Sequence, residues 1–513
     1  MNNKWRTINY STKKMTTALC IAAMAIQAPI VTLANDLPSY ATSMDMLENS
    51  FNYTLKDNGQ SYEAASMHVS SLPTTTDMIY GEKEIVNINK GWSFTDYAGN
   101  KINNINLPHS WEGPYSMNSF TSTYEKTLDV APYKGKNLFL KFHGANKNTT
   151  LYIDGKKVST DVNGDGLVTS DEGTHIGGFS AFTVNITDYV KGDTINIKVE
   201  TTNFDLKTMP INTDFTHFSG LYRDVDLIAT SDIYFATEDY GSEGIYITPT
   251  VDLENNVATI ATKAALSYKL EEAQEVTLRA TLKDANGNSV NTTEMSAHLE
   301  AGETIASAFN LPNMTINNPH LWNGLEDPYL YTMDIEILDM NGNILDGQSE
   351  RIGIREYKVD TNGFYLNGKP YPLRGVGFHQ DRKGYGNAVP KSLRLQDLNT
   401  VKEIGANAIR TTHYPHEQYV YDLADEMGLV VWAEIPFYLV ASKSDLFDHT
   451  TKTQLKEMIR QNYNHPSIAI WCIQNEVNTN PQYAMFGPDY DVSAEELGTL
   501  MKELATLAKT EDS

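Results

Sequence analysis

Apolar and polar positions along this chain follow one rhythm before about residue 357 and another after it. In the first part they alternate in short runs. Asn137-Leu138-Phe139-Leu140-Lys141-Phe142 is one such run, and Leu151-Tyr152-Ile153 leads straight into Asp154-Gly155. Val276-Thr277-Leu278-Arg279-Ala280-Thr281-Leu282 runs toward Asn286-Gly287, and Thr332-Met333-Asp334-Ile335-Glu336-Ile337 toward Asn341-Gly342. Alternation puts every second side chain on one face, and Asp-Gly or Asn-Gly accepts the positive φ of a tight hairpin. The pattern predicts a β-sandwich over 82–230 and a smaller, immunoglobulin-like β-sandwich with Asn-Gly turns over 231–357.

After Tyr357 each strand-like run is followed by a helical one. Strand Leu373–Phe378 precedes a helix with Leu395, Leu398, Val401 and Ile404 on one stripe, closed by Gly405. Strand Ala408–Thr411 precedes a helix over Glu417–Met427, closed by Gly428. Strand Leu429–Ala433 precedes a helix over Thr453–Asn462. The apolar run Ile468–Ile473 predicts a strand buried on both faces, followed by a helix over Ala494–Lys509. Eight such units close a TIM (β/α)8 barrel, so residues 358–513 predict the first half of one. The expected fold is multidomain, β followed by α/β, and a length of 513 residues accommodates about three domains.

The N-terminal stretch belongs to none of these. Lys4, Arg6, Lys13 and Lys14 precede the apolar run Ala18–Ile26, and Ala34 offers a small residue for cleavage. These are the parts of a secretory signal over residues 1–34, interrupted by Gln27 and Pro29 well short of a membrane span. Export to the periplasm, cell surface or medium is expected, with no membrane span after the signal is removed. Residues 35–81, rich in Ser, Thr, Asn and Met, read as a linker or extension. The formal net charge of −25 becomes more negative without the signal and argues against nucleic acid or anionic membranes as partners. Only Cys472 would remain, so stability has to come from large cores rather than disulfides.

Polar residues gather where the four apolar strands end: His379, Gln380 and Asp381; Arg410, His413 and Tyr414; Glu434; Asn475 and Glu476. Capping and solvated loops explain each one singly. The set is what the C-terminal face of a barrel predicts for an active site. A carboxylate at such a position suits glycoside hydrolysis, which with retention needs a second carboxylate about 5 Å away. The acids downstream of Glu476, among them Glu495, Glu496, Glu503 and Glu511, lie in or beside the last predicted helix, where none is placed to attack. The chain is therefore expected to be the N-terminal part of an enzyme, inactive by itself, with an oligomer or a complementing C-terminal fragment as possible partners.

Several long motifs resemble glycoside hydrolase family 2. They are Gly375-Val376-Gly377-Phe378-His379-Gln380-Asp381, Asn407-Ala408-Ile409-Arg410-Thr411-Thr412-His413-Tyr414-Pro415, and Asn464-His465-Pro466 with Asn475-Glu476. Asn106–Trp111 and Asp214–Val225 resemble that family's sugar-binding jelly roll, and Leu321–Tyr331 its immunoglobulin-like domain. The resemblance implies Glu476 as general acid/base and Asn475 as the group that binds the sugar 2-hydroxyl. It implies Arg410 beside the nucleophile, His379 and His413 on sugar hydroxyls, Asp214 on the far hydroxyl and Glu434 lining the pocket. The string Trp432-Ala433-Glu434-Ile435-Pro436 departs from members that bind a metal there, so catalytic magnesium or sodium is not expected. The strings at 379–382 and 432–436 look most like exported bacterial β-galactosidases, giving a terminal β-galactoside as the expected substrate. β-Glucuronidase, β-mannosidase and a non-catalytic carbohydrate-binding protein are the alternatives.

One segment stands outside the family pattern. In Asp161–Glu172, residues Asp161, Asn163, Asp165 and Thr169 offer side-chain oxygens and Leu167 a carbonyl. Glu172 closes the set and Gly166 supplies the turn, as in a twelve-residue calcium loop. Structural calcium is expected there. An acidic loop of Asx turns is the plainer reading.

Overall fold

The structure is a computed structural model that describes residues 56–57, 60–61, 78–112, 119–158, 174–205, 207–211, 215–216 and 218–512. The signal region 1–34, most of the 35–81 segment, the calcium loop 161–172 and Asp214 lie outside the described residues. The chain divides into two compact units, 1–67 and 68–513. In the first, Lys56–Asp57 pairs antiparallel with Gln60–Ser61.

The second unit begins with two antiparallel sheets. One runs in the order Phe182–Asn185, Asn137–Phe142, Val225–Thr230, Lys83–Asn87 and Met78–Tyr80. Its last strand falls within the segment expected as a linker. The other centres on Thr194–Thr202 paired along nine positions with Thr121–Asp129. Their inward side chains, including Trp92, Tyr124, Leu140, Phe142, Leu151 and Val199, form one core. Asp154 (φ 49°) and Gly155 (φ 77°) make the predicted hairpin between Ile153 and Lys156.

A second pair of antiparallel sheets follows. Val257–Leu270 pairs with Ile233–Phe235, Ile245–Asp252 and Gly302–Asn317, while Gln274–Lys283 and Tyr331–Leu338 are central in the other sheet. The expected Asn-Gly turns differ in detail. Strand pairing stops at Lys283–Ser289 and at Leu338–Ile344, leaving loops of five residues. Each opens with an aspartate whose Oδ1 accepts two backbone N–H groups: Asp284 from Asn286 and Asn288, Asp339 from Asn341 and Asn343. The aspartate side chain supplies hydrogen bonds that a two-residue turn would have made through the backbone.

The last part is a parallel sheet of four strands in sequential order, here β1 (Gly375–Phe378), β2 (Ala408–Thr411), β3 (Val430–Glu434) and β4 (Ile468–Cys472). They alternate with α1 (Lys391–Glu403), α2 (Gln418–Met427), α3 (Asp445–Gln461) and α4 (Ala494–Glu511). α2 buries Val420, Tyr421, Leu423, Ala424 and Met427, and Gly428 ends it in the left-handed region at φ 74°. α4 begins with a reciprocal Ser493–Glu496 capping box.

Three expectations need correction. Ile404 is 64% exposed, because α1 ends before it and its buried stripe is Arg394, Leu398 and Val401. α3 starts at Asp445 rather than Thr453, since Ser444 caps it by accepting from Phe447 N–H at 3.3 Å, and Asp445 and Asp448 suit a helix N-terminus. β4 is fully buried only at Ile468. Among the described residues it pairs with β3 alone, so its later side chains are half-buried.

Candidate active site

Parallel strands in register bring their C-terminal ends to one edge of the sheet. Arg410 lies opposite Trp432, and Glu434 opposite Cys472. Residues far apart in sequence therefore meet there. Arg410 donates through Nε to Glu434 Oε1 and through Nη2 to Asn475 Oδ1, the latter at 2.7 Å. Its guanidinium carbon lies 5.4 Å from the centre of the Trp432 ring. His413 Nδ1 is 2.7 Å from Glu434 Oε2. Asn475 Nδ2 donates to Glu476 Oε2 at 3.3 Å. A continuous line of polar contacts thus runs from His413 through Glu434, Arg410 and Asn475 to Glu476.

Exposure varies along that line. Glu434 is 0% exposed and Asn475 is buried, whereas Glu476 is open to solvent. Glu476 also sits at φ 55°, a left-handed conformation that a side chain with a Cβ adopts at some cost. Such strain concentrates at working sites. Glu434, expected to line the pocket, instead has both carboxylate oxygens engaged by Arg410 and His413.

His379 stands beside this line. Its Nδ1 is 3.0 Å from the Tyr414 hydroxyl, and its ring centre is 5.6 Å from that of His413. Burial pushes the Tyr414 phenol well above its ordinary range. Sequence reasoning missed two further rings. Phe215, from the jelly roll, lies 5.0 Å from His379, 5.5 Å from Tyr414 and 5.8 Å from Tyr438 between ring centres. Tyr438 stacks on His413 at 5.2 Å. Phe215 adjoins Asp214 in the jelly-roll motif, and Tyr438 follows Glu434 in the loop after β3, which were the available signals.

Arg223 joins the jelly roll to this edge. Its Nη2 donates to Gln380 Oε1 at 3.0 Å and to Pro415 O at 2.9 Å, and its Nη1 to Phe179 O at 2.7 Å. The loops carrying His379 and Tyr414 are thereby tied to the jelly roll. The downstream acids lie elsewhere: Glu496 caps α4, Glu503 pairs with Lys452, and Glu511 with Arg460.

A parallel β/α sheet whose strand ends gather carboxylates, an arginine and histidines has the arrangement of one face of a TIM-barrel active site. Comparison with known proteins gives the family. Residues 357–506 match the TIM barrel domain of glycosyl hydrolases family 2, and residues 243–355 match a second family 2 model. The chain belongs to glycoside hydrolase family 2. It is 35% identical over 457 residues to a β-glucuronidase of Bacteroides fragilis, covering 85% of this chain and 60% of that protein. A β-galactosidase of Thermoanaerobacterium thermosulfurigenes is 28% identical, with 76% and 54% covered. Among solved structures, Bacteroides uniformis β-glucuronidase 2, covalently bound to cyclophellitol-6-carboxylate aziridine, superposes with a TM-score of 0.74. That match has 30% identity and covers 84% of this chain and 52% of the other. The chain thus spans about half to three-fifths of the length of these relatives.

Proposed function

We propose that this chain carries the acid/base side of a β-glycosidase site that works with retention. The carrying observation is the polar line from His413 to Glu476, which ends on an exposed carboxyl held beside Asn475. In this reading Glu476 protonates the leaving glycosidic oxygen and later takes a proton from the attacking water. Asn475 bonds the sugar 2-hydroxyl, a contact that strengthens as the oxocarbenium-like transition state forms. Arg410 supplies positive charge toward the nucleophilic carboxylate, which the reading assigns to none of the described residues. His379 and His413 bind sugar hydroxyls, and Phe215 and Tyr438 supply apolar walls.

For the sugar, the 35% identity to a β-glucuronidase supports a β-glucuronide. The His379–Arg382 string and the likeness to a β-galactosidase support a β-galactoside as the second reading. Hydrolysis of chromogenic β-glucuronide, β-galactoside and β-mannoside, by the chain alone and with a fragment carrying the remaining barrel units, tests both. Turnover of none in either setting leaves a carbohydrate-binding protein. Export rests on the 1–34 pattern, and the N-terminal residue of the mature protein checks it.

We also infer that Asp161–Glu172 binds calcium in a structural role. The donor set is all oxygen, as a hard cation requires. The insertion's ends are held together, since Thr174 Oγ1 donates to Val158 O at 3.0 Å. A calcium-binding mutant of Bacteroides uniformis β-glucuronidase 2 is among the similar structures, at 30% identity, which supports the reading. Calorimetry showing no heat of binding at millimolar calcium would overturn it.

A further inference from the structure

Each partner in the line from His413 to Glu476 has a hydrogen-bond polarity fixed by its neighbour. A carboxylate only accepts, and a guanidinium only donates. Glu434 Oε2 therefore obliges His413 to carry its hydrogen on Nδ1, 2.7 Å away. That leaves Nε2, across the ring, as a lone pair in the neutral imidazole. On the other side, Glu434 Oε1 takes Arg410, whose Nη2 then obliges the Asn475 amide to present its oxygen, at 2.7 Å. The amide NH2 is consequently the end that reaches Glu476. An amide turned the other way would set N–H against N–H at Arg410 and an oxygen against the Glu476 carboxylate.

We infer that Glu434 is a positioning residue that sets the donor–acceptor sense of His413 on one side and, on the other, holds the Arg410 guanidinium that turns the Asn475 amide toward Glu476, without touching substrate. This rests on the functional reading above for its catalytic consequence, but not for its structural content. Burial makes the role strict. Glu434 has no access to solvent, so bulk water does not compete for its two oxygens. The separations of 24 residues to Arg410 and 21 to His413 mean that only the parallel register brings the three groups together.

Glu434→Gln keeps the shape and removes one acceptor. The glutamine oxygen has to serve the Arg410 cation, so its NH2 faces His413, whose Nδ1 must then accept. The neutral tautomer inverts, and Nε2 turns from acceptor to donor. ¹⁵N–¹H spectra of the histidine-labelled chain, with His413 assigned by its loss in His413→Gln, read this directly. Hydrogen on Nδ1 in the wild type and on Nε2 in Glu434→Gln is the expected result. A bare Nδ1 in the neutral wild-type ring, or an unchanged tautomer in Glu434→Gln, overturns the inference. The wild-type spectrum decides alone if the variant does not fold. In hydrolysis by the chain complemented with a fragment carrying the remaining barrel units, Glu434→Gln is expected to lower kcat about 100-fold with KM within about threefold, and Glu434→Asp to recover about tenfold of that. The expected spectra with no glycosidase activity, even when a fragment carrying the remaining barrel units is added, refute the functional reading and leave this inference standing.

Discussion

The two ends of β4 carry polar clusters of similar composition and opposite character. At the N-terminal end, the histidine ring and the aspartate beside it are fully engaged. His465 Nδ1 bonds Asp425 Oδ2 at 2.6 Å and its Nε2 bonds Gln418 Oε1 at 3.0 Å. Asp425 Oδ1 accepts from Ser467 N–H, and the Asp425 carbonyl accepts from the Trp322 indole. Asn464 bonds Ile247 N–H and Ile245 O, tying the barrel to the immunoglobulin-like domain. Asp422, Asp425 and His465 bring ligand atoms within 4.8 Å of one another, a spacing a metal ion would accept. Both His465 nitrogens already face oxygen acceptors, however, so the ring has no lone pair to give. At the C-terminal end, the corresponding line stops on an exposed Glu476 in a strained conformation. A closed network holds domains together. An open one has a group left over to act on something else, which is how the two faces of such barrels divide stability from chemistry.

The comparison can be broken most severely at the open end. With a fragment carrying the remaining barrel units supplied for every kcat measurement, Glu476→Gln is expected to cut kcat for substrates with poor leaving groups about 10³-fold, with an unchanged melting temperature. Asp425→Ala should do the reverse. It leaves a buried imidazolium without its partner and is expected to cost about 3 kcal/mol in denaturant unfolding, with kcat of the folded fraction retained.

A pH titration of stability sharpens the contrast. Burial opposes charge on His465, and the carboxylates of Asp425, Asp422 and Glu350 together outweigh it, so the ring is held above its ordinary value. A raised folded value means that this stabilisation is fully present below the unfolded value of about 6.5 and is lost as pH rises through the folded one. Unfolding midpoints should fall from about pH 6.5 upward in the wild type, and Asp425→Asn should flatten that fall. The opposite sign is expected of His109 in the jelly roll, which burial holds down to about 4. Its contribution disappears as pH falls from about 6.5 toward that value, and His109→Gln should remove it. The smallest effect belongs to Gln418→Ala. It removes one partner of His465 and is expected to cost about 1 kcal/mol, again without change in kcat.

Much of the architecture was legible from the chain. β2 matches its expected bounds, and α2 ends at the glycine that marked its stop. Residues such as Arg410, Asn475 and Glu476 stood out because they follow apolar runs. Start signals carry less: a single serine, Ser444, caps α3 and starts it at Asp445, eight residues ahead of the predicted Thr453. The five-residue loops after Lys283 and Leu338 were hidden because Asn-Gly fits a shorter turn equally well, and the leading aspartate decides.

What the sequence determined by itself was the local grammar: period-two alternation, helical stripes closed by glycine, and polar residues at strand ends. Those follow from φ/ψ preferences and from which faces must leave water, both of which act within a few residues. What only the tertiary structure decided was which of those polar residues touch. Glu434 became the buried centre of the line, and Phe215 crossed from the jelly roll to meet His379 and Tyr414. Parallel register and domain packing set those distances. A carboxylate in a sequence carries no mark of whether its oxygens will face a sugar or an arginine.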